Sequence, residues 1–294
     1  MKKTMKTIAA LPLLAIGLAA AAPAAAETEA TPAMWLVEDE DTQVYILGTV
    51  HVMAADVNWQ GGKVAEVIES ADELVLEADL DQAKLMAAMQ QGQALGMSQG
   101  LAPLAERVDA EDHAEIVRLA GTLGVPAPAL DAMEDWFIVT MFGPLRMMEA
   151  GFSPTDGVDI KLYEAFTSAG KPVAELEGLE QQMVWFDGLS AGAQSALLEQ
   201  TFDASALEQL PLAVAEWAEG DTDGLYNVMG LADMGPDLTD MLLANRNPHW
   251  ADYVQTRLDT PGTVLLAGGA GHFAGEHSVL KMLEARGLTV TRVQ

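Results

Sequence analysis

Two histidines in this chain each stand three residues after a glycine, at the end of an apolar run. Tyr45-Ile46-Leu47 leads into Gly48-Thr49-Val50-His51, and Thr263-Val264-Leu265-Leu266-Ala267 leads through Gly268 into Gly269-Ala270-Gly271-His272. A third apolar run, Leu74-Val75-Leu76, ends on Glu77. Open α/β sheets place ligands beyond the carboxyl ends of their strands, and glycines there let the backbone turn and approach a ligand closely. Two imidazoles and one carboxylate delivered to one such edge would make a donor set for a divalent ion, with positions left for water or substrate. Taken singly, His51 reads equally well as a hydrogen-bonded packing histidine and Glu77 as an exposed strand-end charge. The loop around His272 is too rich in glycine for mere core filling.

These groups meet only if the ends of the chain fold together. Trp35-Leu36-Val37 and Val44-Tyr45-Ile46-Leu47 read as two strands joined by a turn over Glu38-Asp39-Glu40-Asp41-Thr42. Val64, Val67, Ile68 and Ala71 then mark one face of a helix before the strand that ends at Glu77. The middle is mostly helical, with expected breaks at Gly143-Pro144 and at Pro211 and a short strand near Lys171 to Leu176. The last forty residues regain a strand–loop–helix–strand rhythm. The expected fold is α/β: a central mixed or mostly parallel sheet built from the N- and C-terminal segments, with a largely helical middle forming a cap or second lobe. Residues 34–294 read as one domain with a helical insertion at about 80–260, and residues 27–33 as a flexible N-terminal segment.

Other residues take second rank. Arg246, between Asn245 and Asn247 with Pro248 following, reads as a cleft residue at a helix exit, able to hold a peptide carboxylate or a developing oxyanion; a plain ion pair explains it as well. Asp159 follows Gly157 near a helix start, where it either favours exposed helix amides or adds a third metal carboxylate. Glu177 and Gln181 lie four apart and read as support. His277 reads as rim or cap, and His113 and His249 as surface or packing residues.

Several chemistries are excluded. The chain of 294 residues has no cysteine, which removes disulfide staples, thiolate metal sites and a cysteine nucleophile. No His-Glu-x-x-His and no phosphate loop occurs. The one Gly-x-Ser-x-Gly match, Gly188-Leu189-Ser190-Ala191-Gly192, lacks the buried strand a nucleophile elbow needs before its serine and reads as an inter-helix loop. Fifteen Lys and Arg against 44 Asp and Glu give a net charge of −29, so phosphate backbones and anionic membrane surfaces are repelled and no nucleic-acid partner is expected. Lys2, Lys3 and Lys6, the apolar run Ile8 to Ala22 and the small residues Ala24-Ala25-Ala26 read as a signal peptide over residues 1–26, too short for a stable membrane anchor. The expected location is therefore the periplasm or outside the cell.

Taken together, the opening hairpin with Gly48-Thr49-Val50-His51 and Leu76-Glu77, the stretch Gly157-Val158-Asp159, Gly170 to Glu177, Asn245-Arg246-Asn247 with Trp250, and Gly269 to Gly275 resemble the TraB/GumN family (TraB/PrgY/GumN) over essentially residues 34–293. The resemblance implies metal-dependent hydrolases related to animal membrane-tethered metalloproteases that cleave secreted signalling proteins. Bacterial relatives are associated with shutdown of peptide pheromones. It implies His51, His272 and Glu77 as the residues needed for activity, with manganese- or cobalt-like ions favoured and zinc compatible. The segment Gly275-Glu276-His277-Ser278 departs from the family by an extra charged pair after His272. The expected activity is cleavage of a peptide or small amide by a metal-activated water, with Glu77 as ligand or general base. The alternative is a non-catalytic periplasmic metal- or ligand-binding regulator that keeps the fold.

Overall fold

The computed structural model describes residues 28–294; the signal-peptide reading of residues 1–26 lies outside them. In chain order the strands are β1 (Thr28–Glu29), β2 (Met34–Glu38), β3 (Thr42–Thr49), β4 (Val57–Asn58), β5 (Glu73–Leu76), β6 (Val173–Glu175), β7 (Gly262–Gly269) and β8 (Thr291–Arg292). β1 and β4 form a small parallel pair, and the other six make one sheet in the order β6-β5-β7-β3-β2-β8. β6, β5, β7 and β3 run parallel, while β2 is antiparallel to β3 and β8. The sheet is mixed and mostly parallel, as expected, and β7 from the far end of the chain lies between β3 and β5.

The helices are α1 (Gly62–Ser70), α2 (Gln82–Leu95), α3 (Leu104–Arg107), α4 (Ala110–Thr122), α5 (Ala127–Leu130), α6 (Asp135–Glu149) and α7 (Val158–Ser168). They continue with α8 (Leu179–Asp187), α9 (Ala191–Phe202), α10 (Ala204–Glu219), α11 (Thr222–Val228), α12 (Pro236–Thr239), α13 (Asn247–Arg257) and α14 (Val279–Ala285).

β3 and β7 are central because their sequences are apolar on both faces, as strands covered on both sides must be. Successive side chains alternate between faces. Tyr45, Leu47, Leu265 and Ala267 join a core with α1 and α7, and Val44, Ile46 and Leu266 join another with α13 and α14. A separate core holds the cap together, built from residues such as Ile116, Leu119, Trp136, Phe142, Leu198 and Phe202 of α4, α6 and α9.

Three details differ from the expectation. The segment 27–33 is tied down over its described part: Ala30 N–H donates to Asn58 O at 2.8 Å and Thr31 N–H to Ala218 O at 2.7 Å. The helical insertion is not all cap, since it returns to the sheet as β6 and its helices α7 and α13 cover the two faces of the sheet. Pro211 and Pro144 lie inside α10 and α6 instead of breaking them. The break falls at Asp203, which ends α9 and caps α10 by accepting from Ser205 N–H at 2.7 Å; capping outweighed the proline signal there.

Candidate metal centre

Register brings the three principal residues to one edge. Leu47, Ala267 and Leu76 lie side by side across β3, β7 and β5. β5 stops there while β3 and β7 pair on to Thr49 and Gly269, so Glu77 and the loops carrying His51 and His272 lie over the same end of the sheet. A methyl group built on Gly269 would lie 3.5 Å from each of three atoms: His51 Nε2, Glu77 Oε2 and His272 Cδ2. The ends of the chain do fold together, and the residues converge.

The loop carrying His51 is pinned to the start of α7. Met53 and Ser153 exchange backbone hydrogen bonds of 3.1 and 2.9 Å, and Val158 N–H donates to Val50 O at 3.0 Å. This places Asp159, in the first turn of α7, beside the imidazole: Asp159 Oδ2 is 2.8 Å from His51 Nδ1, and Asp159 Oδ1 accepts from Thr49 Oγ1 at 2.7 Å. In this arrangement Asp159 holds the first imidazole and does not act as a free helix cap. His51 presents 64% of its side-chain surface to the cavity it lines. The charge of the adjacent Asp159 raises its pKa to about 9.

His272 is held by Asn247, a residue the sequence offered only as a neighbour of Arg246. Asn247 is fully buried at the start of α13, and its Nδ2 donates to His277 O at 2.6 Å. A carbonyl can only accept, so the amide oxygen faces His272, and Nδ1 of the ring donates to it at 2.5 Å. The ring stacks on Trp250 with centroids 4.0 Å apart, and burial lowers its pKa to about 3. The result is a neutral imidazole whose Nε2 carries a free lone pair. In both rings Nδ1 is engaged by an acceptor, the arrangement that orients histidine ligands in metal sites.

Glu77 sits in a polar clamp. Oε1 accepts from Arg246 Nη2 at 2.5 Å and Gln182 Nε2 at 2.9 Å, and Oε2 accepts from Gly269 N–H at 3.3 Å. Burial pushes this carboxyl up, but attraction to Arg246 leads the opposing effects that hold it down at about 2. Arg246 is 6% exposed and also pairs with Glu177 through Nε and Nη2, while Nη1 donates to Leu242 O at 3.2 Å. A guanidinium so committed positions Glu77; the expected role as a clamp for a substrate carboxylate does not match its bonds. It is delivered by a π-helical turn, Asp240–Ala244, a feature that recurs at functional sites.

Glu177 grips Arg246 and accepts from Trp250 Nε1 at 2.8 Å. Gln181 is exposed, and its neighbour Gln182 makes the contact to Glu77. The helical phase starts only at Leu179, so a four-residue spacing counted from Glu177 misses the inward face. Ser190 caps α9, accepting from Ala193 N–H at 3.2 Å, which agrees with an inter-helix loop. His249 and His277 are exposed, and His113 lies half-buried on α4.

The donor chemistry fits a divalent ion that displaces the Nε2 proton of His51: two imidazole Nε2 atoms and an ionised carboxylate around an open position. The spacing is wider than a closed coordination sphere. Among the described residues, no group of three His, Asp or Glu side chains stands close enough as placed to hold a metal. Above these residues lies a cavity of about 470 Å³ roofed by the cap. Among the described residues no helix is long and apolar enough to cross a membrane.

An α/β sheet with two loop-borne histidines and a clamped glutamate at its carboxyl edge, closed over by a helical cap, defines the class of protein. The TraB/PrgY/gumN family model matches residues 33–292, and the chain belongs to that family. It is 24% identical over 258 residues to "Uncharacterized protein YbaP" of Escherichia coli (strain K12), covering 86% of this chain and 92% of that protein. The protein of the same name from Shigella flexneri matches to the same extent. No solved structure matches this chain.

Proposed function

We propose that this cleft is the centre of an exported metal-dependent hydrolase that cleaves amide bonds, most simply in peptides. The observation that carries the reading is the shared orientation of the two imidazoles. Each has Nδ1 held, by Asp159 or Asn247, and the ring edges meet the Glu77 carboxylate around the open position over Gly269. His51 and His272 would hold the ion through Nε2, with Glu77 as a third donor or as the group that orients water. A bound divalent ion supplies polarisation of the scissile carbonyl and a water of lowered pKa. The donors suit manganese or cobalt, which the family resemblance favours, and zinc equally. Asp159 and Asn247 fix the rings, Arg246 keeps Glu77 ionised, and Arg246 and Gln182 hold it in place.

One observation favours a second reading, a metal- or ligand-binding regulator without turnover. Both Glu77 oxygens already accept hydrogen bonds, and a carboxyl held near 2 is a weak proton acceptor. Purified residues 27–294 decide between the two. Manganese, cobalt and zinc binding is measured by calorimetry, and cleavage of a peptide library is followed with each ion and with chelator. Ion-dependent cleavage that His51→Ala abolishes supports the hydrolase. Ion binding without cleavage of any peptide selects the regulator, and binding and turnover untouched by His51→Ala would end the assignment. The mass of the mature protein, expected to begin at Glu27, tests the export step.

A further inference from the structure

The cavity is lopsided. His51, Glu77, Gln182, Arg246 and His272 gather the polar groups, and the remaining wall is apolar: Phe186, Leu210, Val214, Met229, Leu231 and Leu242 face it from the helices of the middle segment. A volume of about 470 Å³ would hold roughly 15 waters at ~30 Å³ each. Apolar walls give such water few partners, so the space suits a solute with apolar surface. Ligand pockets combine this lining with a few convergent polar groups that fix orientation. Charged side chains would enter without a counter-charge anywhere except at the end already paired within itself. Met147, Met229 and Met241 add flexible thioethers that adapt to different apolar shapes.

We propose that this cavity is the specificity pocket for a bulky uncharged side chain, aromatic or branched aliphatic, next to the amide bond held over Gly269. The substrate class is therefore an apolar peptide segment, with broad tolerance among Phe, Leu and Met and exclusion of Asp, Lys and Gly. This rests on the hydrolase reading for its chemistry, but the pocket itself is testable without turnover.

The test uses residues 27–294 with two readouts. Binding of N-acetylated Phe, Leu, Gly, Asp and Lys amides is followed by calorimetry, and peptides varied at one position are assayed for cleavage. The Phe and Leu amides are expected to bind at least ~10-fold more tightly than the Gly, Asp and Lys amides, the scale of discrimination an apolar pocket supports. Ala213→Trp, which fills the cavity from α10, and Met229→Asp, at a half-exposed position where the fold tolerates a charge, should each remove that preference while ion binding persists. Equal binding of all five amides, or a preference that both folded variants keep, overturns the pocket. Cleavage without apolar preference leaves the hydrolase standing and sinks the pocket. An apolar binding preference without cleavage supports the pocket and sinks the hydrolase.

Discussion

Gly269 carries no chemistry, yet its missing side chain is the space that three polar groups share. Its φ of −46° suits any residue, and an added methyl would make ordinary contacts at 3.5 Å. Gly269→Ala is therefore expected to change unfolding free energy by less than ~0.5 kcal/mol, while ion binding and cleavage are lost because the methyl occupies the meeting point. Calorimetry and denaturant melts on the same sample separate the two effects. Asn247→Leu acts one step back. It leaves His272 Nδ1 and the His277 carbonyl without partners, costing about 1–3 kcal/mol of stability, and weakens ion affinity by ~10- to 100-fold. His51 adds a pH signature to the metal-free protein. It faces Asp159, Glu77 and Arg246, and its folded pKa of about 9 lies above the unfolded value of about 6.5. The stability it contributes is full below pH 6.5 and is lost as pH rises through 9. The stability gap between the native chain and His51→Gln, measured in chelator, should close over that window; a gap that widens refutes the pairing with Asp159. His51, His272 and Glu77 were legible because apolar runs ending in glycine or an acid mark strand exits. Asn247 and Gln182 were not, because their roles depend on where α13 and α8 begin in three dimensions, which no local pattern encodes.

At the level of elements, the site depends on how close α7 comes to the loop after β3. A methyl on Gly157 would lie 2.2 Å from the His51 carbonyl oxygen, so only glycine lets the helix start there and set Asp159 against the ring. Gly157→Ala must push the two apart. The expected outcome is a loss of about 1–3 kcal/mol from overpacking, with weaker ion binding, even though the residue touches no ligand. Denaturant melts paired with ion titration check this, and unchanged affinity would show that the loop holds His51 without α7. Gly268 serves the other side in the same way: a methyl there would reach 2.6 Å from the Trp250 ring, which stacks on His272 and bonds to Glu177. The sheet strands were readable from continuous apolar runs, because both faces of β3 and β7 are covered. The helix boundaries in the middle were less so. Pro211 and Pro144 carry strong local stop signals, but packing of α10 and α6 against their neighbours overrides them, and the actual break is set by the capping side chain of Asp203.

Across the whole molecule, the sheet and the cap have separate interiors. The polar end of the cleft is carried by the sheet edge with α7 and α13, and its apolar walls draw on both interiors, Val214 and Leu225 from the sheet's core and Phe186 from the side of α4, α6 and α9, so the two can differ in stability while sharing one cavity. Trp136 is fully buried in the cap core and stacks with Phe186, which lines the cavity. Its Nε1 donates to Glu134, and Glu134 also receives Gln194. Trp136→Ala would remove about 3–5 kcal/mol of local packing from a core built on helices of the middle segment. Proteins open in cooperative units, so hydrogen exchange should accelerate first in α4, α6 and α9 while β3 and β7 keep their protection. The His51, Glu77 and His272 cluster would then survive on the sheet edge with its roof loosened. Ion affinity is expected to stay within about threefold of the native value, while binding of the apolar amides falls much further. Equal acceleration of exchange in β3 and β7 would mean that cap and sheet unfold as one unit, and the cleft could not be divided between them.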